Sequence, residues 1–282
     1  MTTQIRVMEK FACFGGEVIR LSHVSTSCDD RMRCMVYLPP QSRSGRMPVL
    51  YFLAGLTCNE ETFLSKGGAI EHAARLGLIL VCPDTSPRNA GITGEDASWD
   101  FGKGASFYVN ATQAPWSKAY NMQRYVAEEL PGIIEEHFMV DGKRTGILGH
   151  SVGGHGALIC AMKYPERFRS VSAFSPMCAA SKVSWGIKAF SQLFGDNEAL
   201  WQENDASELV RRKSLECEIL VDQGSEDRFL TQQLRPDLFI EACKASGQKL
   251  TLRMQPGYDH SYFFIQTFIS EHLLHHAERL SL

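Results

Sequence analysis

The chain has 282 residues, 44% of them hydrophobic and 22% charged, which is enough apolar material for one large core. A formal net charge of -3 without a concentrated basic cluster argues against nucleic acid or an anionic membrane as a partner. The first residues lack a hydrophobic signal core, and no apolar run approaches the roughly twenty residues that span a bilayer, so we expect a cytoplasmic protein.

The elements predicted from hydrophobic periodicity alternate along the chain. Residues 16–25 and 31–38 alternate in the manner of antiparallel strands at a sheet edge. Short aliphatic runs then predict buried strands at 47–54, 78–83, 144–149, 170–174, 218–222 and 250–254. Spacings of three and four predict helices at 70–76, 122–138, 153–164, 234–246 and 261–280. This order predicts one α/β domain over residues 1–282, with a mostly parallel sheet and helices on both faces.

Two connections between predicted elements are longer than an α/β fold requires. They lie near 84–117 and 177–207, and the second holds Trp185, Phe190 and Trp201. Long ordered loops tend to carry function, and ligands bind at the carboxyl ends of parallel strands. We therefore expect both excursions to roof the active site.

Gly149-His150-Ser151-Val152-Gly153 lies between a predicted strand and a predicted helix. A Gly-x-Ser-x-Gly sequence in that context is typical of a nucleophile elbow, where a sharp turn presents the serine hydroxyl. The alternative is a small residue at a tight strand-helix junction. The motif predicts that Ser151 is the nucleophile of a serine hydrolase.

An acidic turn and a histidine follow in the order Ser, Asp, His, which is the order of α/β-hydrolases. Asp222, Glu226 and Asp227 compete for the acid role, and Asp227 is favoured over a strand-end Asp222 and a solvated Glu226. His260 follows the last predicted strand and is expected to be the general base, whereas a core histidine is the alternative. The prediction is a catalytic triad of Ser151, Asp227 and His260 in an α/β-hydrolase fold.

Acyl transfer at a serine creates an oxyanion that needs hydrogen-bond donors. In this fold the donors are the backbone N-H after the nucleophile and one in the loop that follows an earlier strand. Val152 and Leu56 occupy those positions. Their N-H groups are the predicted oxyanion hole.

No metal or organic cofactor is predicted. The nine cysteines are scattered, and they include no Cys-x-x-Cys pair for zinc or redox chemistry, so most are expected to be buried free thiols. His272 and His276 lie one helical turn apart and could hold a metal, but without a matching carboxylate motif a solvated helix face is favoured. His155 is expected to pack at the helix start.

Several longer segments resemble the S-formylglutathione hydrolase family, the esterase D type of serine hydrolases. The segments are 13–16, 56–58, 83–88, 94–102, 149–158 and 257–264, so the resemblance runs almost end to end. It places the family's triad on Ser151, Asp227 and His260. One departure is Val152, where the family usually has methionine, and this change affects the expected acyl preference.

The resemblance implies hydrolysis of S-formylglutathione to glutathione and formate in formaldehyde detoxification, through a formyl-serine intermediate and without cofactors. It also implies a homodimer and a thiol near the site, Cys58, whose modification inhibits. We expect this inhibition to be steric blockade, with no part for the thiol in catalysis. Glutathione carries two carboxylates, and Lys66, Arg88, Lys103 and Lys188 are cations that could face them or lie on the surface.

Three other functions remain open at this point. A broad short-chain carboxylesterase acting on small esters and an acyltransferase that passes its acyl group to an alcohol would share the triad. A non-catalytic binding module on the same scaffold would also keep the fold.

Overall fold

The computed structural model describes residues 3–281, which are built around a nine-stranded sheet with the order β1-β2-β3-β5-β4-β6-β7-β8-β9. The strands are β1 Ile5–Cys13, β2 Gly16–Ser25, β3 Asp30–Leu38, β4 Met47–Leu53, β5 Ile79–Pro83, β6 Val140–His150, β7 Ser170–Phe174, β8 Ile219–Gly224 and β9 Leu250–Gln255. In this order, neighbouring strands are antiparallel from β1 to β5 and parallel from β5, through β4, to β9. The predicted mostly parallel sheet with an antiparallel edge is confirmed.

Helices cover both faces of this sheet. They are α1 Thr62–Lys66, α2 Ile70–Leu76, α3 Met122–Arg124, α4 Leu130–His137, α5 Val152–Lys163, α6 Ser184–Phe194, α7 Glu198–Gln202, α8 Ala206–Arg212, α9 Pro236–Ser246 and α10 Tyr262–Leu280. A π-helical turn, Tyr125–Glu129, joins α3 to α4 in place of the continuous helix expected over 122–138. Strands β5, β7 and β8 are buried along their whole length because both of their faces pack against helices and loops.

The sequence patterns did not predict β1. Its side chains are almost all exposed, and within the described part of the chain it pairs only with β2, so no buried face imposes an alternating pattern. β6 also begins at Val140, earlier than the expected residue 144. Met47 and Val140 are register partners, and the register shifts before the regular pairing that begins at Val49 and Thr145.

The expectation that His272 and His276 face solvent is wrong, since both are fully buried. His276 bonds Ser170 Oγ at 2.6 Å and Ser172 Oγ at 2.8 Å, and His272 bonds Ser172 Oγ at 2.9 Å. Polar side chains from β7 therefore satisfy the imidazoles, which permits burial. Within residues 3–281, no cluster of ligands able to hold a metal ion is found.

Candidate active site

Ser151 lies between the end of β6 and the start of α5, with φ 60° and ψ −122°. L-residues rarely adopt this region, so the backbone is strained at the proposed nucleophile. The Ser151 N-H donates to Phe174 O at 3.0 Å, and Ser151 O accepts from Met177 N-H at 3.1 Å. These bonds to the end of β7 and to the chain just after it hold the elbow in place.

Two glycines of the motif are required by close backbone approach. A Cβ on Gly149 would lie 2.1 Å from Gly153 O, and a Cβ on Gly153 would lie 2.0 Å from Leu53 O. No side chain fits at such distances. The helix after Ser151 can therefore start directly against β4 only with glycine at both positions.

His260 is oriented by Asp227. Its Nδ1 lies 2.5 Å from Asp227 Oδ2, while Asp227 Oδ1 accepts from the Phe229 N-H at 2.9 Å. Burial alone would raise the pKa of the Asp227 carboxyl. Hydrogen bonds from His260 and the Phe229 N-H outweigh this effect and hold the pKa below its usual range. The carboxylate stays ionised and fixes the tautomer that leaves Nε2 free of the proton in neutral His260.

The two competing acids are directed elsewhere. Asp222 Oδ1 accepts from Arg253 Nε at 2.7 Å and from Gln255 Nε2 at 3.0 Å, and Asp222 Oδ2 lies 3.1 Å from His272 Nε2. Glu226 is exposed to solvent. The geometry thus favours Asp227 as the acid that serves His260.

The ring of His150 connects His260 to the nucleophile elbow. Its ring centroid lies 4.4 Å from that of His260, and the next residue is Ser151. No side-chain hydrogen bond joins Ser151 to His260 among the described residues, which is common before a substrate is bound. Burial, followed by the neighbouring His260, lowers the pKa of His150 well below its usual range, so this ring is a neutral support for His260.

The loop after β4 lies against the nucleophile. A Cβ on Gly55 would be 3.1 Å from Ser151 Cβ, so Leu56 begins within reach of the reacting centre. In the described chain, the Leu56 N-H donates to no acceptor, and Val152 is the first residue of α5, where helix N-H groups have no intrahelical partner. Both predicted oxyanion donors are therefore available.

The excursion near 84–117 holds this loop. Tyr108 Oη donates to Ala54 O at 2.8 Å, and Thr57 N-H donates to Gly104 O at 3.0 Å. Cys58 O accepts from Thr85 Oγ1 at 2.7 Å and Arg88 Nη2 at 2.8 Å. Tyr108 was missed by sequence reasoning because a single tyrosine in a loop without periodicity carries no pattern.

Cys58 is half-buried beside this loop. Burial raises the pKa of its thiol, although Tyr262, Thr62 and the cation of Lys66 oppose the rise. The thiol is therefore mainly protonated at neutral pH, when it is a weak nucleophile.

An aromatic row extends outward from His260. The ring of Phe229 lies 5.1 Å from His260, Trp185 lies 4.9 Å from Phe229, and Trp99 lies 5.3 Å from Trp185. Trp99 is 56% exposed, so the row leads from the half-buried His260 to solvent. The two long excursions supply both tryptophans, although their function as a roof stays a prediction.

Three of the four cations proposed to face glutathione are engaged by carboxylates of the chain. Arg88 pairs with Asp84 at 2.6 Å, Lys103 with Glu95 at 3.2 Å and Lys188 with Asp100 at 2.5 Å, whereas Lys66 is exposed.

A cavity of about 960 Å³ lies at the opposite end of the sheet, around the residues that precede β7, β8 and β9. It is lined among others by Arg169, Lys213 and Lys249. Its distance from the carboxyl ends of the strands separates it from Ser151. No helix among residues 3–281 meets the length and apolarity needed for a membrane span.

Comparisons with known proteins agree with the geometry. The family described as "Putative esterase" matches residues 25–275. S-formylglutathione hydrolase of Mus musculus is 52% identical over 95% of this chain and 96% of its own, and that of Paracoccus denitrificans is 45% identical over 99% and 100%. The solved structure of an S-formylglutathione hydrolase from Agrobacterium tumefaciens superposes with a TM-score of 0.95 at 46% identity, covering 97% of this chain and 99% of that one.

Proposed function

Because this chain belongs to the S-formylglutathione hydrolase family, we propose that it hydrolyses S-formylglutathione to glutathione and formate, with Ser151 as nucleophile, His260 as general base and Asp227 as the residue that orients the base. The observation that carries the residue roles is the 2.5 Å contact between His260 and Asp227, beside a serine held at φ 60°.

Acylation begins when Ser151 Oγ attacks the formyl carbon and His260 Nε2 takes the hydroxyl proton. The carbonyl π electrons move to oxygen, and the N-H groups of Leu56 and Val152 stabilise that oxyanion. As the C-O double bond re-forms, the C-S bond breaks and glutathione leaves as thiolate, which accepts the proton from His260. The low pKa of the thiol makes this departure easier than that of an amine or alcohol.

Deacylation repeats these steps with water. His260 removes a proton from water, the hydroxide attacks the formyl-serine, and the same two N-H groups stabilise the second oxyanion. The Ser151-O bond to the formyl carbon then breaks, and Ser151 recovers its proton from His260. Formate is released, and no electron acceptor or metal is needed to balance either half-reaction.

The decisive experiment compares formyl and acetyl thioesters of glutathione with a simple acetate ester. A preference in kcat/KM for S-formylglutathione over both is expected. Comparable values for all three would favour a broad carboxylesterase, and acyl transfer to added alcohols in excess of hydrolysis would favour an acyltransferase.

A second experiment tests the nucleophile. An organophosphate should label Ser151 in the wild-type protein and fail to label it after His260→Ala, because the base activates the hydroxyl. Equal labelling of both proteins would contradict the role of His260, and no labelling of the wild type would favour a non-catalytic binding module.

A homodimer and a cytoplasmic location are also part of this proposal, on the basis of the family resemblance. The dimer is tested by light scattering of the purified chain, where a monomer mass at assay concentrations would contradict it. The location is tested by fractionating cells that express the chain.

A further inference from the structure

Arg228 is an exposed cation at the rim of the proposed active site. It directly follows Asp227 in the chain, and its guanidinium carbon lies 4.6 Å from the centre of the Phe229 ring. Phe229 also packs edge-on with His260, at 5.1 Å. The same aromatic ring therefore contacts both the guanidinium and the catalytic base, and the cation-π contact limits where the guanidinium can move.

The charge of Arg228 is not neutralised within the described chain, where its side chain forms no hydrogen bond or ion pair. By contrast, Lys188 binds Asp100, Lys103 binds Glu95, and Arg235 binds Asp237. Of the two acids in this turn, Asp227 is buried and bound to His260, whereas Glu226 is exposed and accepts from Ser225 Oγ at 3.3 Å. Arg228 thus keeps its planar set of donors free for a carboxylate from outside the chain.

The leaving group of the proposed substrate supplies such a carboxylate. Glutathione has one at its glycine end and one on its γ-glutamyl residue, each displaced from the cysteine along an extended backbone that spans roughly 3.5 Å per residue. When the sulfur is near Ser151 and His260, this length is sufficient for a carboxylate to reach the Arg228 guanidinium beside the Phe229 ring.

We propose that Arg228 binds a carboxylate of the glutathione moiety and thereby selects charged thioesters over neutral ones. This inference rests on the proposed function. Arg228 acts as a specificity residue in it, because it contacts the leaving group at a distance from the reacting carbon.

The test compares two formyl thioesters, S-formylglutathione and S-formyl-N-acetylcysteamine, which has no carboxylate. In Arg228→Gln, the ratio of kcat/KM for the charged over the neutral thioester should fall about tenfold, which corresponds to about 1.4 kcal/mol. Most of the change should be in KM for S-formylglutathione. Arg228→Lys should retain part of the ratio, because it keeps the charge without the planar donors. Arg228→Glu should lower the ratio further.

Arg169→Gln is the matched control, since Arg169 is also exposed but lines the cavity at the far end of the sheet. It should leave the ratio unchanged. Added salt should raise KM for S-formylglutathione in the wild type and have less effect in Arg228→Gln. An unchanged ratio in both Arg228→Gln and Arg228→Glu would overturn the inference while the proposed function stands. Failure of the wild type to hydrolyse S-formylglutathione would instead overturn the proposed function itself.

Discussion

His260 Nδ1 and Asp227 Oδ2 lie 2.5 Å apart, although 33 positions separate the two residues in the chain. Asp227 follows β8 and His260 follows β9, and these strands are adjacent and parallel. The parallel pairing of the last two strands thus delivers the acid and the base to the same edge, next to the elbow that follows β6.

Replacing Asp227 by Asn should lower kcat about a thousandfold to ten-thousandfold, because the amide cannot hold His260 in the tautomer with a free Nε2. KM for S-formylglutathione should change much less. Glu226→Gln removes one carboxylate from the same turn at an exposed position and is the control. Steady-state kinetics of both variants tests this prediction, and an equal loss of kcat in both would contradict the role of Asp227 as the acid.

Tyr108→Phe should reduce kcat by about tenfold. The change removes one hydroxyl, which bonds Ala54 O at 2.8 Å and so positions the loop bearing the Leu56 N-H. Displacing one oxyanion donor by a fraction of an ångström reduces the stabilisation of the transition state more than it reduces the affinity for the substrate. Tyr164→Phe, which removes a hydroxyl bound to Glu128 at 2.9 Å beyond the end of α5, is the matched control and should leave kcat unchanged. A kcat for Tyr108→Phe equal to that of the control would contradict the role of the Tyr108 hydroxyl in positioning this loop.

Acid should destabilise the fold partly through His155. This residue is fully buried, and burial lowers its pKa from 6.5 to about 3, so the unfolded chain binds a proton there that the folded chain does not. Stability from this group is full above pH 6.5 and declines as pH falls from 6.5 toward 3. Between pH 7 and pH 5 the loss is about 2 kcal/mol.

His155→Leu should make the free energy of unfolding less dependent on pH over that interval, whatever its effect at pH 7. Urea denaturation at pH 7, 6 and 5 measures this slope. His72→Leu is the control, because His72 is only half-buried and its hydrogen bond with Arg75 is exposed. Parallel pH slopes for wild type and His155→Leu would contradict the prediction.

Cys58→Ser should preserve most turnover and abolish inhibition by a thiol reagent, because the thiol is expected to block access when modified and takes no part in acyl transfer. Burial raises the pKa of this thiol, so inactivation of the wild type should accelerate as pH rises through the alkaline range. Cys13→Ser, at another half-buried thiol on β1, should remain sensitive to the reagent. A loss of turnover in Cys58→Ser as large as that in Ser151→Ala would assign a direct role to the thiol.

The sequence patterns predicted the parallel part of the sheet because its strands are continuous aliphatic runs with glycine or proline near their ends. The same reasoning missed β1, which is exposed on both faces and has no pattern to detect. It also placed His272 and His276 in solvent. Their burial depends on Ser170, Ser172 and Asp222, about 50 to 106 positions away, and no local window shows that these groups converge.

Some residues of the candidate site can likewise be predicted from the sequence, whereas others cannot. Ser151, Val152 and the glycines belong to one short motif that is specific by itself, so sequence alone suggests their roles. Tyr108 and Arg228 act through single contacts, to Ala54 O and to the Phe229 ring, that depend on the path of irregular loops. Likewise, the sequence alone does not show that the cations at 88, 103 and 188 pair with Asp84, Glu95 and Asp100.

α10 begins two residues after His260 and packs across β6, β7 and β8, and its own His272 and His276 are buried against β7. During synthesis on the ribosome, the proposed nucleophile and both proposed oxyanion donors therefore emerge before the proposed base. β9 and α10, which flank His260, must dock on the sheet before this residue gains a fixed position. Thioester cleavage by a translating chain would consequently report the docking of α10.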